Sequence, residues 1–287
     1  MKTGLVLEGG GMRGLFSAGV MDVMMEHGIR FDGIVGVSAG ATFGCNYKSC
    51  QPGRVLRYNL RFKDDPRYMG LRSLLTTGDL VGADFSYHFM PNHLDVFDRS
   101  AFDADPAEFH VVCTDAVTGE PVYHRIDRMD DDGLEWIRAS ASMPLVSRPV
   151  PIGDRLLLDG GVADSIPLRY FQGQGFGRNI VILTQPKGFF KKKTKLMPLF
   201  HLFMRRYPAV VRAMSKRHLM YNDELAYLAE QESQGNILLI YPQDTLPIGR
   251  TEQKERKMRQ VYQTGRTAGE AMLPQIEAFV SNTSDNK

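Results

Sequence analysis

Thr3-Gly4-Leu5-Val6-Leu7-Glu8-Gly9-Gly10-Gly11-Met12-Arg13-Gly14 and, one helix later, Ile34-Val35-Gly36-Val37-Ser38-Ala39-Gly40 decide how the N-terminal half of this chain folds. Thr3 to Leu7 reads as a short buried strand. Beyond the glycines, Leu15, Phe16, Val20, Val23 and Met24 recur at helical spacing as far as His27, and Gly28 supplies the stop. The triglycine is therefore a strand-to-helix turn. Ile34, Val35 and Val37 form a second short strand and residues 39–47 continue as helix, which puts Ser38 at the junction. Small residues at Gly36 and Gly40 suit a sharp turn, because side chains there would crowd the neighbouring strand and helix. Ser38 is expected at a helix N-terminus, where the helix dipole and free N–H groups favour an anion. A loop of bare backbone donors beside a serine on a tight turn supplies the two halves of an acyl-transfer site.

Other readings compete. Gly9, Gly11 and Gly14 also fit the dinucleotide-binding spacing GxGxxG between a strand and a helix. That reading needs an acid at the end of the second strand to hold a ribose, whereas Asp32 precedes that strand and a serine turn follows it. A serine hydroxyl needs a base to take its proton. Of the seven histidines, His27, His88, His93, His110, His124, His201 and His218, only the last two lie late enough for an acid-then-histidine order. Both sit among basic and apolar residues without turn signals. A carboxylate is the other candidate: residues 155–158 read as a strand ending at Asp159-Gly160-Gly161. An Asp-Gly-Gly is equally a structural turn, and on its own the segment supports either role.

Taken together, the glycine loop with Arg13, the Gly36–Gly40 turn and the later Asp159-Gly160-Gly161 resemble, in that order, the patatin-like phospholipase family. Ala139-Ser140-Ala141-Ser142-Met143-Pro144 is similar to the small-residue segment ending in proline before that family's aspartate, and the resemblance covers residues 3–185. It implies a Ser-Asp dyad, with Ser38 as nucleophile and Asp159 as base, working without histidine, metal or organic cofactor. Gly9, Gly10, Gly11, Met12, Arg13 and Gly14 would form the oxyanion loop, the N–H groups around Gly10, Gly11 and Met12 facing the developing charge. Gly36 and Gly40 would shape the nucleophile turn, and Gly160 and Gly161 would follow the base. Arg13 would serve the loop, its alternative being a solvated residue in a first helical turn. An aspartate at its ordinary pKa of about 3.9 is an indifferent base near neutrality, so an apolar surrounding that raises this value is expected.

Composition sets the remaining bounds. The chain has 287 residues, 43% hydrophobic and 24% charged, enough for one large core with an appendage. Its three cysteines, Cys45, Cys50 and Cys113, show no metal-binding spacing and suggest reduced thiols in a cytoplasmic compartment. The N-terminus does not read as a secretory signal, and no apolar run approaches the ~18 residues of a membrane span. Net charge is +2 but uneven: residues 187–218 hold ten Lys and Arg and no acid, leaving 25 basic against 33 acidic residues elsewhere. Phe189, Phe190, Leu196, Met197, Leu199, Phe200, Leu202, Phe203 and Met204 interleave with those charges. The mixture suits contact with an anionic membrane or a substrate-access cap, Lys191, Lys192, Lys193 and Lys195 being the membrane-facing residues; plain packing is the alternative, and nucleic acid is not favoured.

The expected architecture is α/β: a three-layer α/β/α arrangement with a mainly parallel central sheet and a C-terminal helical extension. Residues 1–185 form the catalytic domain, 186–280 pack on it, and a polar tail over 281–287 is disordered. A hairpin turns at Thr118-Gly119, residues 179–184 are a buried strand, residues 236–241 can rejoin the sheet, and residues 251–280 are helical. Residues 53–105 read as insertions whose Leu71, Leu74, Leu75 and Phe85 either line an acyl pocket or fill the core. The function expected is hydrolysis of phospholipid or lysophospholipid esters through an acyl-serine. Thioester hydrolysis or acyl transfer on the same dyad, and a non-catalytic membrane-associated lipid-binding protein, are the alternatives, and oligomeric state is not legible.

Overall fold

A computed structural model describes residues 1–281. Five parallel strands form the centre of its sheet, in the order β3 (Glu108–Asp115), β2 (Gly33–Val37), β1 (Thr3–Leu7), β7 (Arg178–Ile182) and β8 (Ile237–Ile240). At the β3 side the sheet turns antiparallel, where β4 (Pro121–Arg125) and β6 (Arg155–Asp159) both pair with β3 and β5 (Val150–Ile152) pairs with β6. The expected mainly parallel sheet is thus present, with an antiparallel margin.

Strands covered on both faces read as unbroken apolar runs, which is why β1 and β2 stand out in the sequence. Alternation divides their side chains between two layers. Leu5, Leu7, Ile34, Ile180 and Ile182 join the core that includes α1 (Leu15–Glu26) and α2 (Ala39–Lys48). Val6, Val35, Val37 and Val181 face Phe171 of α7 (Leu168–Gly173) and Tyr221 and Leu228 of α9 (Pro208–Ser233). Between α2 and β3 the chain inserts α3 (Arg54–Phe62), α4 (Leu71–Thr77), a π-helical segment over Asp84–Leu94, and α5 (Arg99–Ala104). Leu71 and Leu75, expected in a pocket or the core, are exposed, whereas Phe85 is buried against Phe62 and Tyr68.

The final helix, α10 (Glu255–Ser281), starts after the expected 251 because residues 251–254 belong to a turn whose carbonyl at Lys254 caps the helix. It crosses α1 with backbones nearly touching: a Cβ on Gly265 would stand 2.0 Å from the Phe16 carbonyl oxygen, and one on Gly19 would stand 2.2 Å from that of Tyr262. Tyr262 Oη donates to the buried Asp22 carboxylate at 2.5 Å, and Arg266 forks onto Glu26 at 2.8 and 2.7 Å. The helix is described as far as Ser281, the first residue of the tail expected to be disordered, and the rest of that tail lies outside the described residues. Two further helices, α6 (Asp131–Ser140) and α8 (Met197–Phe203), border the site described next.

Candidate active site

Sheet register brings the two candidate residues to one level. Val37 pairs with Val112 on one edge of β3, and Cys113, the next residue, pairs with Asp159 on the other. Ser38 and Asp159 therefore leave their strands on either side of β3 at the same height, at the carboxyl end of the parallel strands, where open α/β sheets place their sites.

Ser38 adopts φ 55° and ψ −121° as N-cap of α2, a backbone conformation that costs a non-glycine residue free energy and is maintained only by its surroundings. The surroundings are visible. Gly40 is needed because a Cβ there would stand 2.3 Å from the Leu7 carbonyl oxygen, and one on Gly36 would strike Gly40 itself at 2.5 Å. The Ser38 N–H donates to Ser140 Oγ at 3.0 Å, and that hydroxyl donates to the Val112 carbonyl at 2.7 Å. Two residues later, the Ser142 carbonyl accepts the Asp159 N–H at 2.8 Å. The small-residue segment singled out in the sequence thus anchors both partners, a role its composition did not reveal.

The Asp159 carboxyl is buried. Its Oδ1 accepts the Gly161 N–H at 2.8 Å, and Ser38 lines the same cavity. Burial pushes its pKa above the ordinary 3.8, against the contrary pull of Ser38, the Gly161 N–H, Arg217 and Arg250. The result is a carboxylate with more appetite for a proton than one in water. His201 hydrogen-bonds within its own helix and His218 lies on α9; neither lines the cavity that holds Ser38.

The glycine loop runs past Ser38 as expected, but its donors are not equivalent. Met12, placed among the oxyanion donors, gives its N–H to the Arg250 carbonyl at 2.9 Å, leaving Gly10 and Gly11 with N–H groups that make no backbone hydrogen bond among the described residues. Glu8, at the root of the loop, is buried and accepts from Tyr221 Oη, the Thr184 N–H and Thr184 Oγ at 2.6, 2.5 and 2.9 Å. Arg13, within the loop, has its Nε buried and without a hydrogen-bond partner among the described residues.

Ser38 stands between two chambers of opposite character. One is apolar and lies under the inserted helices, lined by Tyr58, Tyr68, Val81, Met90, Leu134 and Met143 among others. The other is cationic, formed by Arg13, Lys191, Arg217 and Arg250 around Glu8, Asp159 and the glycine loop. Lys191 was expected on a membrane-facing surface; instead its peptide is clamped by Asn222 at 2.9 and 3.0 Å, and its ammonium lies 3.6 Å from the centre of the Tyr221 ring, pointing inward. Burial and the neighbouring arginines lower its pKa to about 7. Lys192, Lys193 and Lys195 are exposed, beside the outward apolar residues Phe190, Leu196, Leu199, Leu202 and Phe203. No helix among the described residues is long and apolar enough to cross a membrane.

Cys45 and Cys113 are buried thiols, pushed above their ordinary pKa by burial, and no disulfide joins the three cysteines. No cluster of potential metal ligands occurs among the described residues.

A family profile described as "Patatin-like phospholipase" matches residues 5–171, and one described as a domain of unknown function (DUF6363) matches residues 207–281. The chain is 28% identical to the "Uncharacterized protein YjjU" of Escherichia coli over 96% of its own length and 78% of that protein's. It is 30% identical to the "Lysophospholipase nte1" of Aspergillus oryzae over 61% of its own length, but spans only 11% of that relative. An uncharacterized NTE family protein of Mycobacterium bovis is 28% identical over 60% of this chain and 46% of that one. Among solved structures, VipD from Legionella pneumophila superposes with a TM-score of 0.42 at 13% identity, covering 94% of this chain and 67% of that one.

Proposed function

The chain belongs to the patatin-like phospholipase family, and from that premise we propose that it is a serine hydrolase of phospholipid or lysophospholipid esters. One observation carries the reading: Ser38 and the buried Asp159 line one cavity, where an apolar chamber opens beside glycine amides that make no backbone hydrogen bond among the described residues. Family membership and the lysophospholipase relatives support a lipid acyl hydrolase.

In this mechanism the acyl chain occupies the apolar chamber, with its ester carbonyl at Ser38. Asp159 takes the hydroxyl proton as Ser38 Oγ bonds to the carbonyl carbon. The negative oxygen that forms faces the N–H groups of Gly10 and Gly11; such donors act by being in place before charge develops, and losing one costs on the order of 10²-fold or more in rate. Collapse of the intermediate expels the alcohol, which receives the proton from Asp159. Water then gives a proton to Asp159 as its oxygen attacks the acyl-serine, and the fatty acid leaves as Ser38 recovers its hydrogen. Residues 1–185 act as the catalytic unit and 186–280 as the extension that closes it. The exposed face of α8 with Lys192, Lys193 and Lys195 meets the anionic lipid surface from which substrate is drawn.

A fluorophosphonate probe tests the core of the proposal. It should label the wild-type chain, fail to label Ser38→Ala, and label Asp159→Asn about a hundredfold or more slowly. Undiminished labelling of Ser38→Ala would identify the wrong nucleophile.

A further inference from the structure

Four cationic side chains from four separate stretches line the cavity that holds Ser38. Arg13 comes from the glycine loop, Lys191 from the segment after β7, Arg217 from α9 and Arg250 from the turn before α10. Among the described residues, only Glu8 and Asp159 supply acidic groups to the same cavity. Glu8 already receives three hydrogen bonds, from Tyr221 and Thr184. Arg217 gives hydrogen bonds to the Gly161 carbonyl and the Ser165 hydroxyl, both uncharged. Arg13 Nε has no hydrogen-bond partner among the described residues, and the Lys191 ammonium lies over the rings of Tyr221 and Phe189. Burial, and then the neighbouring cations, lower the proton affinity of Arg13, Lys191 and Arg217. Holding Arg13, Lys191 and Arg217 partly out of water beside Arg250 is costly unless an anion joins them. Guanidinium and ammonium groups converging from several directions match the several oxygens of a phosphate.

We propose that Lys191, Arg217 and Arg250, with Arg13, form a phosphate subsite that receives the head group of the ester whose acyl chain fills the apolar chamber. The assignment rests on the reading of Ser38 as nucleophile at the boundary of the two chambers. The C-terminal region thereby takes part in recognising substrate, since Arg217 and Arg250 lie within the segment matched by the domain of unknown function, outside the patatin-like match. That segment also fixes the glycine loop, through the Arg250 carbonyl on the Met12 N–H. Substrate choice then depends in part on Lys191, Arg217 and Arg250, which the catalytic motifs do not contain.

The test uses the full chain and compares 1-palmitoyl lysophosphatidylcholine with 1-palmitoylglycerol, which share an acyl ester and differ in the phosphate. In Lys191→Met and in Arg250→Gln, the ratio of kcat/KM for the first substrate over the second should fall about tenfold to a hundredfold, the range expected for loss of one charge-assisted contact. An unchanged ratio in both folded variants overturns the subsite. Thermal unfolding checks each variant, and the exposed Arg250 side chain keeps the test valid if Lys191→Met does not fold. Calorimetry with glycerophosphocholine and with inorganic phosphate tests binding apart from turnover. Glycerophosphocholine binding that weakens in both variants supports the subsite even if the wild type hydrolyses neither ester, in which case it is the hydrolase reading that fails. No binding of either probe, or binding of inorganic phosphate alone with an unchanged substrate ratio, overturns the head-group assignment.

Discussion

Asp159 shows how one side chain is tuned by groups remote in sequence. Burial raises its pKa, and Arg217, fifty-eight positions downstream by number, is among the charges that hold it down. As a base it must be ionised, so activity should disappear as pH falls through its folded-state value, which lies above the ordinary 3.8. Arg217→Gln removes a stabilising positive charge from the ionised form and should move that acid limb to higher pH. The check is kcat/KM against pH for a neutral, soluble short-chain ester; a limb that stays in place or moves down contradicts the assignment of Asp159 as base. Ser38 was legible from its flanking glycines because the turn tolerates nothing larger. Ser140, which holds the Ser38 N–H, was not, since one serine among alanines carries no sign of the partner that folding brings to it.

At the scale of elements, α9 is attached to the Asp-Gly-Gly turn through acids as well as apolar contacts. Glu224 accepts the Ser165 N–H at 3.0 Å and shares a buried contact with Asp164, whose carboxylate also receives Tyr123 Oη at 2.7 Å. Burial and then Asp164 raise the Glu224 pKa, so the folded chain retains a proton that the unfolded chain has released above the ordinary value of 4.5. This contribution to stability is complete below that value and is lost as pH rises through the folded-state pKa. Glu224→Gln keeps the shape without the ionisable group and should flatten the decline in Tm from mildly acidic to alkaline pH. A decline as steep as that of the wild type would exclude Glu224 as its source. The strands β1, β2 and β7 were readable because sheet burial on both faces demands apolar runs. Helices α6 and α7 escaped notice, being short, with few apolar positions to set a period.

On the scale of the whole molecule, the apolar chamber, the cationic cavity and the outward face of α8 suit a lipid ester lifted from an anionic surface. Charge reversal at Lys192, Lys193 and Lys195 should weaken binding to vesicles containing phosphatidylglycerol, each lysine near such a surface contributing about 1 kcal/mol, while hydrolysis of a soluble ester changes little. Co-sedimentation and the ester assay separate the two, and equal loss in both would mark a folding defect rather than a lost membrane contact. The basic run looked uniform as letters, and packing divided it: Asn222 and Tyr221 of α9 turn Lys191 inward, while its neighbours remain in solvent.

The sequence alone determined the strand-turn-helix at the glycine loop, the serine turn and the overall α/β order, because glycine spacing and apolar runs are local constraints that hold wherever the chain goes. Tertiary structure alone decided which loop amide is already spent, where Lys191 points and that Arg217 and Arg250 line the cavity of Ser38. Those outcomes depend on the docking of α9 and α10 against elements two hundred residues earlier, and charge and distance in space leave no periodic trace along a chain.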